Sequence, residues 1–177
     1  AFLVRGINVG GRHKVVMEEF CHELKELGMS NVSSYINSGN FFFDSSLMKV
    51  ELLLVLERFL NKTYPFIKVF SLFTLDDYQN EVASLPKWWE DDFYRKDVLL
   101  YTERLDKNEM RNVIESLELG DEIIHLGQLG IYWGKFDKSS YNQTAYHKKL
   151  LKASFYPSIT IRNARTFSKI GQFLRMK

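Results

Sequence analysis

The sequence predicts an α+β protein of two tandem ferredoxin-like subdomains, each a two-layer α/β sandwich with the element order βαββαβ. Three observations predict it. The same succession of strand-like and helix-like patterns occurs twice in 177 residues. Each occurrence contains two β-rich runs separated by a short turn cluster. Each then ends on an extra amphipathic helix. The two occurrences cover residues 1–84 and 97–177, and residues 85–96 connect them.

In the first half, Phe2 to Ile7 reads as a strand. Met17, Phe20, Leu24 and Leu27 then recur at three, four and three residues, one face of a helix that Gly28 closes. The runs "NVSSYI" and "NFFFD" flank Asn37-Ser38-Gly39 and read as a hairpin. Ser45 or Ser46 is expected to cap a helix running through Leu60, and "PFIKVFSLF" reads as the next strand. Thr74 with Asp77 three residues on is an aspartate version of the capping box and starts the trailing helix.

The second half repeats the plan. Asp97 to Thr102 reads as a strand, and Asp106 with Glu109 opens a helix. "EIIHL" and "GIYWG" form a hairpin about Gly127-Gln128-Leu129. Tyr141 to Ala153 reads as a helix whose Tyr146, His147, Lys148 and Lys149 lie on its exposed side. "SITIR" is the last strand, and Phe167, Ile170, Phe173 and Leu174 mark the last helix. The connecting segment is too aromatic for a free linker, so Trp88 or Trp89 is expected to pack between the halves.

Composition narrows the function classes. With 45% hydrophobic and 15% aromatic residues, the chain has material for a core and does not read as disordered. Basic and acidic residues number 24 and 22, so any anion-binding surface is local rather than global. A single cysteine, Cys21, excludes a disulfide framework and a cysteine zinc site within one chain. Cys21 itself reads as core. The four histidines show no metal-ligand spacing, and Glu90, Asp91 and Asp92 read as a solvated acidic patch. No apolar run is long enough for a bilayer span, and the N-terminus lacks a signal-peptide pattern. The expected setting is cytoplasmic, without a membrane partner.

Three motifs carry the functional expectation. The first is the loop "RGINVGG", followed by Lys14. Its glycines fit neither nucleotide fingerprint, yet they permit close backbone approach to an anion. The second is Ser38-Gly39-Asn40. In a split βαβ unit the end of the first strand and the hairpin turn share one sheet edge, so Arg5, Asn8, Gly10 and Lys14 converge on Ser38, Gly39 and Asn40. The third is Arg162-Asn163-Ala164-Arg165-Thr166. Here Asn163 is a predicted N-cap, and Arg162 and Arg165 place positive charge where a helix dipole prefers negative. The corresponding junction of the first half, Thr74-Leu75-Asp76-Asp77, is acidic. Ser38 has no evident base partner, so a nucleophilic role is not expected.

Taken with Lys14 and Met17, "YINSGNFFF", Trp89 before "DVLLY" and "TIRNART", the opening motif resembles DUF1697, a mostly bacterial, cytosolic family of unknown function. That resemblance spans essentially the whole chain. It implies the tandem ferredoxin-like fold and names no activity or cofactor. Asn37 stands where Gln is usual in the family, and Ala164 where an aromatic commonly follows Arg-Asn.

The expected function is binding of a small anionic ligand bearing phosphate or carboxylate, through Arg5, Asn8, Gly10, Lys14, Ser38, Gly39, Asn40, Arg162, Asn163, Arg165 and Thr166. Two alternatives stay open: an enzyme built on the same cluster, and a nucleic-acid-binding or protein-interaction module. "NFFFD" lacks the RNA-recognition strand pattern and places Phe41 and Phe43 opposite Phe42. RNA is therefore the lesser expectation.

Overall fold

Alternation along the strands decides how this chain is layered. The computed structural model describes residues 1–136, 138 and 144–176. The first half contains β1 (Phe2–Val4), α1 (Met17–Glu26), β2 (Ser30–Tyr35), β3 (Asn40–Asp44), α2 (Lys49–Thr63), β4 (Phe70–Leu72) and the trailing α3 (Leu75–Ser84). The second contains β5 (Arg95–Tyr101), α4 (Lys107–Glu115), β6 (Glu122–Leu126), β7 (Gly130–Lys135), α5 (Ala145–Lys148), β8 (Ile159–Asn163) and the trailing α6 (Ala164–Arg175). Two four-stranded antiparallel sheets result, with the orders β2-β3-β1-β4 and β6-β7-β5-β8. Two similar subdomains of the predicted ferredoxin-like layout are thus present.

Successive residues of each strand feed different cores. Phe2, Val4 and Phe41 join Phe20, Leu24 and Leu56 under α1 and α2. Leu99, Ile131 and Trp133 pack with Met110, Ile114 and Leu150 on the far side of the second sheet. The alternate residues, Leu3 and Phe42 of one sheet and Val98, Leu100 and Tyr132 of the other, meet in a central core shared by both halves. The trailing helices fill it. Phe173 of α6 stacks on Phe42 with ring centroids 4.9 Å apart, and the Tyr78 hydroxyl of α3 donates to Phe167 O at 3.2 Å. Trp89 meets Tyr132 of the second half edge-on at 4.9 Å, and Trp88 and Trp89 pack against the edge of the central core. At the sheet edges, Ser71 Oγ of β4 donates to Tyr101 O at 2.6 Å and lies 2.8 Å from the Thr160 hydroxyl of β8. The sheet face that RNA-recognition modules use for base stacking is here covered by α3 and α6.

Several local expectations shift. β1 stops at Val4 because Gly6 turns the chain at φ +79°. "PFIKVFSLF" forms only the three-residue β4. α2 starts after Met48 rather than at Ser45 or Ser46; Ser45 Oγ accepts from Leu47 N at 3.2 Å, and the Glu51 carboxylate takes Met48 N at 3.0 Å. The Thr74 box forms as predicted, Thr74 Oγ1 accepting from Asp77 N at 3.0 Å and Asp77 Oδ2 from Thr74 N at 2.9 Å. Of the helix expected over 141–153, Tyr141, Asn142 and Gln143 lie outside the described residues. The described part is α5 and a 3-10 turn over Leu150–Lys152. Tyr146 is buried rather than exposed, because its helix is drawn onto the sheet by Glu122.

Candidate functional site

The end of β1, the β2–β3 turn and the start of α6 come together, and Arg162 is the reason. Register pairs Leu3 with Asn40 and Val98 with Arg162. The Arg162 side chain crosses from the second half into the first. Its Nε donates to Asn40 Oδ1 at 2.6 Å, and its Nη2 to Val4 O, Ser38 O and Gly39 O at 2.9, 3.0 and 3.1 Å. Nη1 returns to Ile161 O at 2.8 Å. Only 8% of the residue is exposed, and burial pulls its pKa down to about 10. The guanidinium therefore faces five oxygens of the protein itself. Arg5 makes the reverse crossing: Nη1 donates to Tyr156 O and, at 2.7 Å, to Ile159 O, with the guanidinium 4.5 Å from the Tyr156 ring centroid. Each half thus sends one arginine into the other.

The other predicted residues divide between framework and surface. Asn40 is fully buried and donates through Nδ2 to Tyr35 O at 2.9 Å and Ser38 Oγ at 3.1 Å. Gly39 stands at φ +82°, and a Cβ there would lie 2.3 Å from Val4 Cγ2. Asn163 caps α6, its Oδ1 accepting from Thr166 N at 2.8 Å, while Thr166 is buried. Arg165 is exposed and meets no partner among the described residues. Of the cations expected at one site, Arg162 spends Nε, Nη1 and Nη2 on the protein itself, and half-buried Arg5 commits Nη1 to the second half.

The surface next to this junction has a different character. Asn8, at φ +53°, brackets the loop: its Nδ2 donates to Asn37 O at 2.9 Å and Val15 O at 3.0 Å, and its Oδ1 accepts from Val15 N at 2.9 Å. Between Asn8 and Val15 the chain forms a tight turn, Arg12 N donating to Val9 O at 3.1 Å. Gly10 and Gly11 hold φ +58° and +74°, the signs that a type I′ turn requires. His13 is also left-handed; its ring stacks on Phe66 at 4.6 Å, and its Nδ1 lies 3.1 Å from Gly6 O. Across the groove, Ile36 sits at φ +51°, a costly conformation for a β-branched residue. The open groove is lined by Asn8, Gly11, Arg12, Lys14, Met17 and Asn37, among others. Arg12 and Lys14 are exposed, and neither side chain has an ion-pair or hydrogen-bond partner among the described residues. Arg12 is the cation that motif reading passed over, since nothing local distinguishes it from Arg5.

The family model described as "Protein of unknown function (DUF1697)" matches residues 1–132. The chain belongs to the DUF1697 family. The solved structure of the conserved bacterial protein SP0830 from Streptococcus pneumoniae is similar to it, with 57% identity and a TM-score of 0.95 over 98% of this chain and 96% of that one. A search of curated proteins finds no match. In this DUF1697 chain the main-chain carbonyl of Asn37 holds Asn8, so the bond does not depend on Asn rather than Gln at that position. Ala164 is the first residue of α6.

A second polar cluster lies in the other half of this DUF1697 protein, unmarked by any sequence motif. Glu122 is buried and accepts from Trp133 Nε1 at 2.9 Å and from the amides of Ala145 and Tyr146 at 2.6 and 3.3 Å. Asp97 is buried beside it and takes Arg95 Nε at 2.5 Å. Burial pushes the Asp97 carboxyl above its ordinary range, with Arg95 and the Tyr146 hydroxyl opposing the shift. Lys135, also buried, donates to Asp121 at 2.6 Å. These partners answer one another and tie α5 to the sheet. Only strand register, pairing Glu122 with Lys135 and Asp97 with Trp133, assembles them. Among the described residues, no group of three or more His, Cys, Asp or Glu could hold a metal. No helix among them is long and apolar enough to cross a membrane.

Proposed function

We propose that this protein binds a small anionic ligand, phosphate- or carboxylate-bearing, in the groove between the 8–17 loop and Asn37. The observation that carries this reading is the pair Arg12 and Lys14, exposed and unpaired on a loop whose backbone is held in left-handed conformations at Asn8, Gly10, Gly11 and His13. Fixing a loop in this way reduces the ordering cost of binding, and two cations on one rim suit a divalent or multivalent oxyanion. Asn8 lines the wall and Gly10 turns the loop that carries it, while Arg5, Ser38, Gly39, Asn40, Arg162, Asn163 and Thr166 support it from behind; Arg165 stands on the neighbouring helix start. A cytoplasmic setting accords with the single cysteine.

Titration with inorganic pyrophosphate at low salt tests the site. Saturable binding is expected, weakened at least about tenfold by Arg12→Ala with Lys14→Ala and by moderate salt. Undiminished binding in the double variant would place the ligand elsewhere. Tighter binding of short RNA than of pyrophosphate would favour the nucleic-acid alternative.

A further inference from the structure

We infer that Arg162 is a positioning residue for the groove, through which the second half sets the geometry of the first half's anion-binding loop. The inference rests on the groove reading above. A continuous series of hydrogen bonds carries it. Arg162 grips the β2–β3 turn at three points, Ser38 O, Gly39 O and Asn40 Oδ1. Asn40 fastens the two ends of that turn to each other through Tyr35 O and Ser38 Oγ. Within the turn, strained Ile36 precedes Asn37, whose carbonyl takes the Asn8 amide. Asn8 closes on both the N–H and the carbonyl of Val15, and Arg12 and Lys14 lie inside that bracket. The separation of the two cations is therefore referenced to a guanidinium more than 120 residues away in sequence.

Simple cohesion between the halves does not require this arrangement. The shared apolar core already joins them, and a buried cation without a carboxylate costs more desolvation than an apolar side chain of similar volume. What the guanidinium adds is direction: its planar fork holds Asn40 Oδ1 and the carbonyls of Val4, Ser38 and Gly39 in one fixed geometry, which neither an apolar residue nor the freely rotating ammonium of a lysine imposes.

The test uses the full chain. Pyrophosphate affinity and the backbone amide resonances of Gly10 and Gly11 are measured for wild type, Arg162→Lys, Asn8→Ala and the double variant. Arg162→Lys keeps the charge and loses the fork; it is expected to weaken binding by about five- to tenfold and to shift the Gly10 and Gly11 resonances. Asn8→Ala breaks the middle of the series, so combining it with Arg162→Lys should cost no more than the larger single loss. Additive losses, or a folded Arg162→Lys protein with unchanged affinity, would overturn the inference. Should Arg162→Lys not fold, Asn40→Asp replaces it. That change keeps the acceptor for Arg162 and removes the Nδ2 bonds that close the turn, and the same outcomes decide. Affinity that survives Arg12→Ala with Lys14→Ala sinks the groove reading itself. Affinity lost there but untouched by Arg162→Lys sinks the positioning role alone. Where pyrophosphate does not bind wild type, the glycine resonances still decide whether Arg162 sets the loop.

Discussion

A residue's meaning here depends on what its polar atoms face. Arg162 and Lys14 are both cations beside predicted turns, yet one is buried against five oxygens and the other is exposed. Gly39 shows how tight the buried side of the junction is. Gly39→Ala meets both a left-handed φ and a 2.3 Å approach to Val4, so a loss of about 3 kcal/mol in chemical denaturation is expected. Asp97 makes a prediction about pH. Its folded-state pKa is raised above the ordinary 3.8, so the folded chain holds this proton more tightly than the unfolded chain. The resulting stability is complete below the unfolded value and is lost as pH rises through the folded one. Denaturation of wild type and Asp97→Asn from about pH 3.5 to 6.5 should show wild type losing stability relative to the variant as pH rises. Parallel profiles would mean that burial does not perturb the carboxyl.

Individual elements follow local rules until a neighbour imposes another. The capping residues Thr74, Asp106 and Asn163 each accept the amides expected of them, because a cap needs only atoms two or three residues away. α2 departs from expectation at its start: Met48 stands at the N-cap with its own amide held by the Glu51 carboxylate, and Ser45 Oγ accepts from Leu47 N in the turn before the helix. α6 contains Gly171, which helix propensity alone would replace with alanine for a gain of about 1 kcal/mol. Contact reverses that sign. A Cβ at Gly171 would lie 2.3 Å from the Tyr78 ring, which is buried and held through its hydroxyl to Phe167 O. Gly171→Ala should therefore lower the melting temperature, by the equivalent of about 2 kcal/mol. A higher melting temperature would show that α3 can retreat from α6.

At the scale of the molecule, the halves are two copies of one plan that do not close separately. Leu3 and Phe42 are covered by the other half's α6, and Tyr78 and Glu81 of α3 reach Phe167 and Gln128 of the second half. Fragments 1–84 and 97–177 are accordingly expected to show no cooperative thermal transition alone and to regain one when mixed, as followed by circular dichroism. A cooperative transition in either isolated fragment would refute a shared core. The order of elements, the duplicated plan and the convergence of β1 with the hairpin turn are legible in the residues alone. These depend on periodicity, capping and strand topology, all of which act between near neighbours or within one sheet. The residues also mark Arg162 as out of place at a helix start. Tertiary structure alone decided where that charge goes, because its partners at Ser38 and Val4 lie 124 and 158 residues away and no local period encodes them. The same packing that takes Arg162 out of water and half-buries Arg5 leaves Arg12 and Lys14 exposed. Burial, not residue type, separates framework from candidate site.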